Sequence, residues 1–199
     1  MSRLSDLSEN RATSPAAYSP DDRQILLRIA HESIVSALVS AFGDRALPKT
    51  PSSSCLSELR GVFTTLSLQG HLRGCVGYAL PVSPVYLAVA ETARAAAFDD
   101  SRFQPVNFPE ASLLEVSLSV LSPLFPIQPG EIEVGRHGLV ITLGTRRGLL
   151  LPQVPGEYGW DRETFLQQTC RKAGLATDAW QEEASLEAFT AEVFGDHNI

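Results

Sequence analysis

The sequence predicts an α+β protein built from two similar halves that share one sheet or set two sheets face to face. Two observations predict this. Residues 61–78 and 137–151 each read as strand, Gly-containing turn and returning strand, and the returning strands carry Arg73-Gly74 and Arg147-Gly148 at matching places. A proline-marked connection and a helical run then follow each hairpin, so a hairpin–helix unit repeats and suggests an internal duplication.

The elements follow in order. Residues 1–18 are rich in Ser and Asn without periodicity and are expected to be a disordered tail. Ser19-Pro20-Asp21-Asp22 is a helix start: a hydroxyl cap, Pro in the first turn, and acids facing the helix dipole. Ile25, Ile29, Ile34, Val35, Leu38, Val39 and Phe42 supply its apolar face, and Gly43 its stop. Residues 44–58, with Pro48, Pro51 and Ser52 to Ser54, read as a loop. Gly61 to Leu68 is dense in β-branched residues, Gln69-Gly70 makes the turn, and Leu72 to Tyr78 returns.

Pro81 and Pro84 flank the start of a helix that runs to Phe98. Its alanines leave little side chain between helix and sheet, so the two backbones can approach closely. After a loop holding Asp99 to Pro105, residues 114–120 alternate apolar with polar, the pattern of a strand with one face on the core. Pro123, Pro126 and Pro129 predict a rigid connection. The second hairpin ends near Leu151, Asp161 caps a helix through Phe165, Leu166 and Cys170 to Gly174, and residues 186–194 alternate as a late strand.

Composition narrows the function classes. The 199 residues are 44% hydrophobic and 20% charged, an ordinary globular balance with length enough for a real core. Sixteen basic against 23 acidic residues give a net charge of −7, the wrong sign for a protein that neutralises many phosphates, so nucleic acid is not expected as a main partner. Cys55, Cys75 and Cys170 are too few and too scattered for a disulfide framework, and His31, His71, His137 and His197 have no ligand spacing, so no metal or cofactor is expected. Without a secretory apolar run or a membrane-length stretch, the expected location is the cytosol, with no membrane contact.

Leu72-Arg73-Gly74-Cys75-Val76-Gly77 closely resembles the LRGCIG signature of the AMMECR family, whose microbial form is called AmmeMemoRadiSam system protein A. Phe63 to Leu66, Ala96 to Phe103, Glu115 to Pro123, Gly148 to Val154, Gly159 to Asp161 and Cys170 to Leu175 extend the likeness to roughly residues 20–195. Val76 in place of Ile is the one departure within the signature, and it keeps a β-branched strand residue. The resemblance implies two intimately joined subdomains, with a domain over 19–196, cores near 61–122 and 132–194, and helix 20–42 packed on them. It also implies association with Memo-type and radical SAM proteins, and no established activity.

The candidate site centres on Cys75, which stands between Gly74 and Gly77 and beside Arg73. Strict alternation would put Arg73 and Cys75 on one strand face, with Leu72, Gly74 and Val76 on the other. A cation beside the thiol favours the thiolate, and Cys75 is then a nucleophile or redox thiol, with His71 a further candidate neighbour; the plainer alternative is a small packing thiol. Arg73, Arg102 and Arg147, with Arg146 and Arg171, are candidates for a small anionic ligand, because guanidinium binds carboxylate and phosphate through two parallel hydrogen bonds. Gln153 and Trp160 flank the Pro155-Gly156 loop as a candidate cleft wall, although Trp160 equally suits a core anchor. Two functions stay open: a binding or accessory module using a cleft near Arg73 and Cys75, and a cysteine-dependent enzyme performing group transfer or modification. The acids Glu182, Glu183, Glu187, Glu192 and Asp196 are expected to be solvated surface.

Overall fold

A computed structural model describes residues 18–39, 47–181 and 184–198. The tail up to residue 17, Phe42 and Gly43 at the expected end of the first helix, and Glu182 and Glu183 lie outside the described residues.

Helix α1 spans Pro20–Val39. Ser19 opens it: its hydroxyl donates to Asp22 Oδ2 at 2.7 Å and accepts from the Asp22 amide at 3.2 Å, satisfying an orphan donor of the first turn. Leu26, Leu27, Ile29, Ala30 and Ile34 form the buried face. Val35 and Val39, expected in that face, are 42% and 65% exposed because they sit on its solvent flank.

Strands β1 (Leu59–Leu68) and β2 (His71–Pro84) form the first hairpin around Gln69 and Gly70, both at positive φ. Helix α2 (Val85–Phe98) follows directly, then the single-turn α3 (Phe108–Ala111) and β3 (Leu114–Leu121). β2 runs on through Pro81 and Pro84, beyond the Tyr78 end read from the sequence. Between Arg60 and Val62 its register breaks, so residues 79–82 bulge out of the ladder, where prolines sacrifice no pairing.

The proline-rich connection holds a two-residue strand, β4 (Phe125–Pro126), and a 3-10 turn at Pro129–Glu131. β5 (Gly138–Leu143) and β6 (Arg146–Leu150) make the second hairpin. The Pro155-Gly156 segment is not a loop: it forms α4 (Val154–Tyr158), with Pro155 in the first turn and Gly159 ending it at positive φ. Helix α5 (Arg162–Lys172) starts at Asp161, whose carboxylate accepts from the Thr164 amide at 2.8 Å. The late alternating run is two strands, β7 (Ser185–Phe189) and β8 (Ala191–Gly195), separated at Thr190.

That separation joins the halves. One antiparallel sheet has the order β2-β1-β3-β8 and the other β4-β7-β5-β6, so consecutive strands β7 and β8 serve different sheets. The 132–194 half therefore lends its last strand to the first sheet. At the crossing, Ser122 N donates to Thr190 O at 2.9 Å and Thr190 N donates to Ser122 Oγ at 3.0 Å, tying the two connecting segments together.

α1 and α2 cover one face of the first sheet over a core of Leu26, Ile34, Val62, Leu66, Leu118 and Phe194. The alanine-rich helix does approach closely. A Cβ on Gly74 would overlap the carbonyl oxygen of Ala96 in α2, so only glycine lets β2 pass beneath the helix there. Gly148 of β6 has the same role against Ala173 at the end of α5. The Arg-Gly pairs thus hold equivalent packing positions in the two halves. A second core of Leu139, Phe165, Leu166 and Ala188 lies under α5, with Trp160 and Trp180 packed against it.

Candidate functional site

Both sheets keep a face free of helices, and these faces meet at a shared cluster. Leu121, Phe63 and Ala191 come from the first sheet and Val140, Leu149 and Phe189 from the second. Beyond this cluster one row on the helix-free face of the first sheet carries small side chains. Cys75 of β2 pairs with Thr65 of β1, Thr65 with Ser117 of β3, and Ser117 with Gly195 of β8, giving one row across four strands. The neighbouring row is Gly77, Phe63, Ser119 and Val193, and Val193 is 56% exposed.

Simple alternation fails at Arg73. Leu66 pairs with Gly74 and Ser67 with Leu72, so Arg73 is the extra residue of a bulge and has no partner on β1. Leu72, opposite Ser67, therefore shares the Cys75 face, contrary to the alternation expected from sequence, and Arg73 is free to reach off the strand. Its Nε and Nη2 donate to Glu110 Oε1 and Oε2 at 3.3 and 2.9 Å. Glu110 also accepts from the Asn107 amide at 3.0 Å while its own amide donates to Asn107 Oδ1, a capping box at the start of α3. The Arg73 guanidinium, then the Asn107 amide, hold the Glu110 carboxyl below its ordinary range.

Cys75 is held through its backbone. β2 is an edge strand, and the Cys75 peptide groups point away from β1. Its N–H donates to Asp100 Oδ2 at 2.9 Å, and its carbonyl accepts from Arg102 Nη2 at 3.3 Å. Arg102 closes the ring, donating from Nε to Asp100 Oδ1 at 2.9 Å and from Nη2 to Oδ2 at 2.7 Å. The Asp100–Arg102 pair therefore offers the edge one acceptor and one donor, as a neighbouring strand would, and caps it at this residue. Hydrogen bonds from Arg102 first, and from the Cys75 amide second, push the Asp100 carboxyl well below the usual carboxylate range. The Asp100 side chain is 6% exposed; that of Arg102 is 56% exposed and lies over the Phe103 ring. The thiol of Cys75 accepts from the Thr65 hydroxyl at 3.4 Å.

The other candidates separate. Gly77 lies so close to β1 that a Cβ would strike the Val62 carbonyl and Phe63. Arg147 is exposed on the helix-free face of the second sheet, two residues before Leu149 of the shared cluster. Arg146 donates to the Gly174 carbonyl at 3.0 Å, pinning the second hairpin to the end of α5. Gln153 is exposed before α4, and Trp160 packs on the second core with Tyr158 stacked on it at 4.9 Å. His71 is exposed at the hairpin, and Cys170 is buried, its thiol pushed up by burial. Asp100, Glu110, Thr65 and Ser117 were not singled out from sequence. The acids lie 25 and 37 residues from the groups they bind, although Asp100, Thr65 and Ser117 stand inside blocks of the family likeness. Among the described residues no group of three or more His, Cys, Asp or Glu could hold a metal ion, and no helix is long and apolar enough to cross a membrane.

These carboxylates set an acid limit. A folded pKa held below its unfolded value adds stability that is complete above the unfolded value and is lost as pH falls through the folded one. For Asp22, Asp100 and Asp161, with an ordinary value of 3.8, and Glu110, at 4.5, the loss begins near pH 4. His137 acts earlier. Burial first, and Arg136 second, lower its pKa below 6.5, so the unfolded chain takes up this proton before the folded one and stability falls from about pH 6.5 downward. Urea midpoints between pH 8 and pH 3 at fixed ionic strength should decline in these two stages; a flat profile would contradict the assignment.

Comparison with known proteins agrees with the fold. The AMMECR1 family pattern matches residues 27–194. Protein PYRAB00100 of Pyrococcus abyssi is 42% identical over 183 residues, spanning 86% of this chain and 88% of that one. A protein of Methanothermobacter thermautotrophicus is 41% identical over 187 residues, spanning 90% and 96%. The crystal structure of the uncharacterized protein PH0010 from Pyrococcus horikoshii superposes with a TM-score of 0.70 at 40% identity, covering 87% of this chain and 90% of that one.

Proposed function

This chain belongs to the AMMECR1 family, and on that premise we propose that it is a binding or accessory component whose working surface is the helix-free face around Cys75. The observation that carries the proposal is the row Cys75, Thr65 and Ser117, three small, half-buried side chains on the face away from α1 and α2, ending at the buried Gly195 and bordered by the exposed Val193. Small side chains on a sheet let a partner approach the backbone, and an exposed aliphatic group at the border suits a protein contact. The Memo-type and radical SAM proteins that the family likeness implies are the partners we propose.

A cysteine-dependent enzyme is supported less well. A nucleophilic thiol needs a base or an uncommitted cation within hydrogen-bond reach. The bond to Cys75 Sγ comes from a neutral hydroxyl, and the nearby guanidinium groups of Arg73 and Arg102 are engaged by Glu110 and Asp100. Those ion pairs also weigh against a small anion held by the same two arginines, although the buried Nη1 of Arg73 is left without a hydrogen-bond partner among the described residues.

Calorimetric titration of the full chain with each purified partner tests the proposal. Binding to at least one is expected. Ser117→Arg, which raises a long charged chain from the middle of the row, should weaken it more than about tenfold, whereas Cys75→Ser should change it less than about threefold. Absence of binding to either protein, or turnover of a substrate that requires Cys75, would refute it.

A further inference from the structure

We infer that Asp100 is the positioning residue of the Cys75 surface, acting through Arg102 and the Cys75 peptide without itself touching the partner. The inference rests on the binding function proposed above. The Asp100 side chain is 6% exposed, yet it is a carboxylate bound to three donor sites on Arg102 (backbone N, Nε and Nη2) and to the amide of Cys75. It sits one residue past Asp99, which caps the end of α2, so its place is set by the same helix that Gly74 admits against β2.

Edge strands ordinarily leave outward N–H and C=O groups to solvent and are free to twist or slip there. At Cys75 both outward groups are bound by one ion pair, which fixes the peptide plane. The side chain it fixes is the end member of the Cys75–Thr65–Ser117 row, and its thiol is further held by the Thr65 hydroxyl. The ion pair therefore couples the end of α2 to the flatness of the row. Arg102 is the visible half of the device and Asp100 the hidden half. A variant at Asp100 alters the surface without changing any atom the partner meets.

The test uses the full chain with two readouts: amide hydrogen exchange at Cys75, and affinity for whichever purified Memo-type or radical SAM protein binds the wild type. In Asp100→Ala the Cys75 amide should exchange at least about tenfold faster, while the Thr64 and Val76 amides keep their protection. Partner affinity should fall about tenfold with the rest of the exchange pattern unchanged. Asp100→Asn keeps an acceptor for the Cys75 amide but loses the charge for Arg102; it should fall between, and it carries both readouts should the alanine variant fail to fold. Unchanged exchange at Cys75 would overturn the inference, as would faster exchange with undiminished affinity. If the wild type binds neither protein, the proposed function fails, and exchange alone then decides whether Asp100 holds the Cys75 peptide.

Discussion

Gly74→Val should destabilise the protein by about 3 kcal/mol, the upper end of the usual range for overpacking, and more if α2 cannot shift. The obstruction is backbone: a Cβ at this position overlaps the Ala96 carbonyl oxygen, and a flexible side chain that could swing aside is not what it meets. Relief requires α2 to lift from the sheet, yet Ala88, Ala93 and Ala96 are wholly buried beneath it and the Thr92 hydroxyl meets Thr64 Oγ1 at 2.7 Å inside that interface. Lifting the helix would also carry Asp100 away from Cys75. Gly130→Ala is the control, because a Cβ there meets nothing within 4 Å, and it should lie within about 0.5 kcal/mol of wild type. Urea midpoints of the two variants decide the matter; equal stability would mean that Gly74 is not a packing glycine.

Phe189→Ala should cost about 3–5 kcal/mol and loosen the joint between the sheets. Phe189 is 1% exposed, and its ring fills the space left by the absent side chain of Gly138, its partner across β5 and β7. With Leu121 and Val140 it makes the buried centre of the cluster where the two helix-free faces meet. The variant can be followed by two independent probes. Both tryptophans, Trp160 and Trp180, pack on the second core, so fluorescence follows that half; α1 and α2 pack on the first and dominate the helical circular dichroism. In the wild type the two transitions should coincide, and in the variant fluorescence should report the earlier one. Coincident transitions at an unchanged midpoint would show that the joint does not depend on this ring.

Much of this architecture was legible in the sequence because it is locally encoded. Gln69-Gly70 and Gly144-Thr145 mark hairpins through turn chemistry, Asp161 marks a helix start through its side-chain acceptor, and the alanines of α2 announce a close helix–sheet contact. What escaped depends on pairing between distant segments. Residues 186–194 hold no Gly or Pro to mark a break at Thr190, so turn chemistry does not signal that the hydrogen-bond partners change from β5 to β3. The bulge at Arg73 exists only relative to β1, and it is what takes the arginine off the Cys75 face. α4 was hidden because Pro and Gly in sequence signal a turn, although Pro is equally at home in a first helical turn.

The signature segment changes meaning accordingly. Gly74 and Gly77 are explained by contacts with α2 and β1, Arg73 by Glu110, and the Cys75 backbone by Asp100 and Arg102. The face that Cys75 shares with Thr65 and Ser117 is the one we propose as the binding surface. The most direct test is the calorimetric titration of wild-type, Ser117→Arg and Cys75→Ser proteins with the Memo-type and radical SAM partners. A binding surface predicts that one partner binds, that Ser117→Arg abolishes or severely weakens the complex, and that Cys75→Ser leaves it intact. Loss of binding in Cys75→Ser with full binding in Ser117→Arg would contradict it and return the thiol itself to the centre of the function.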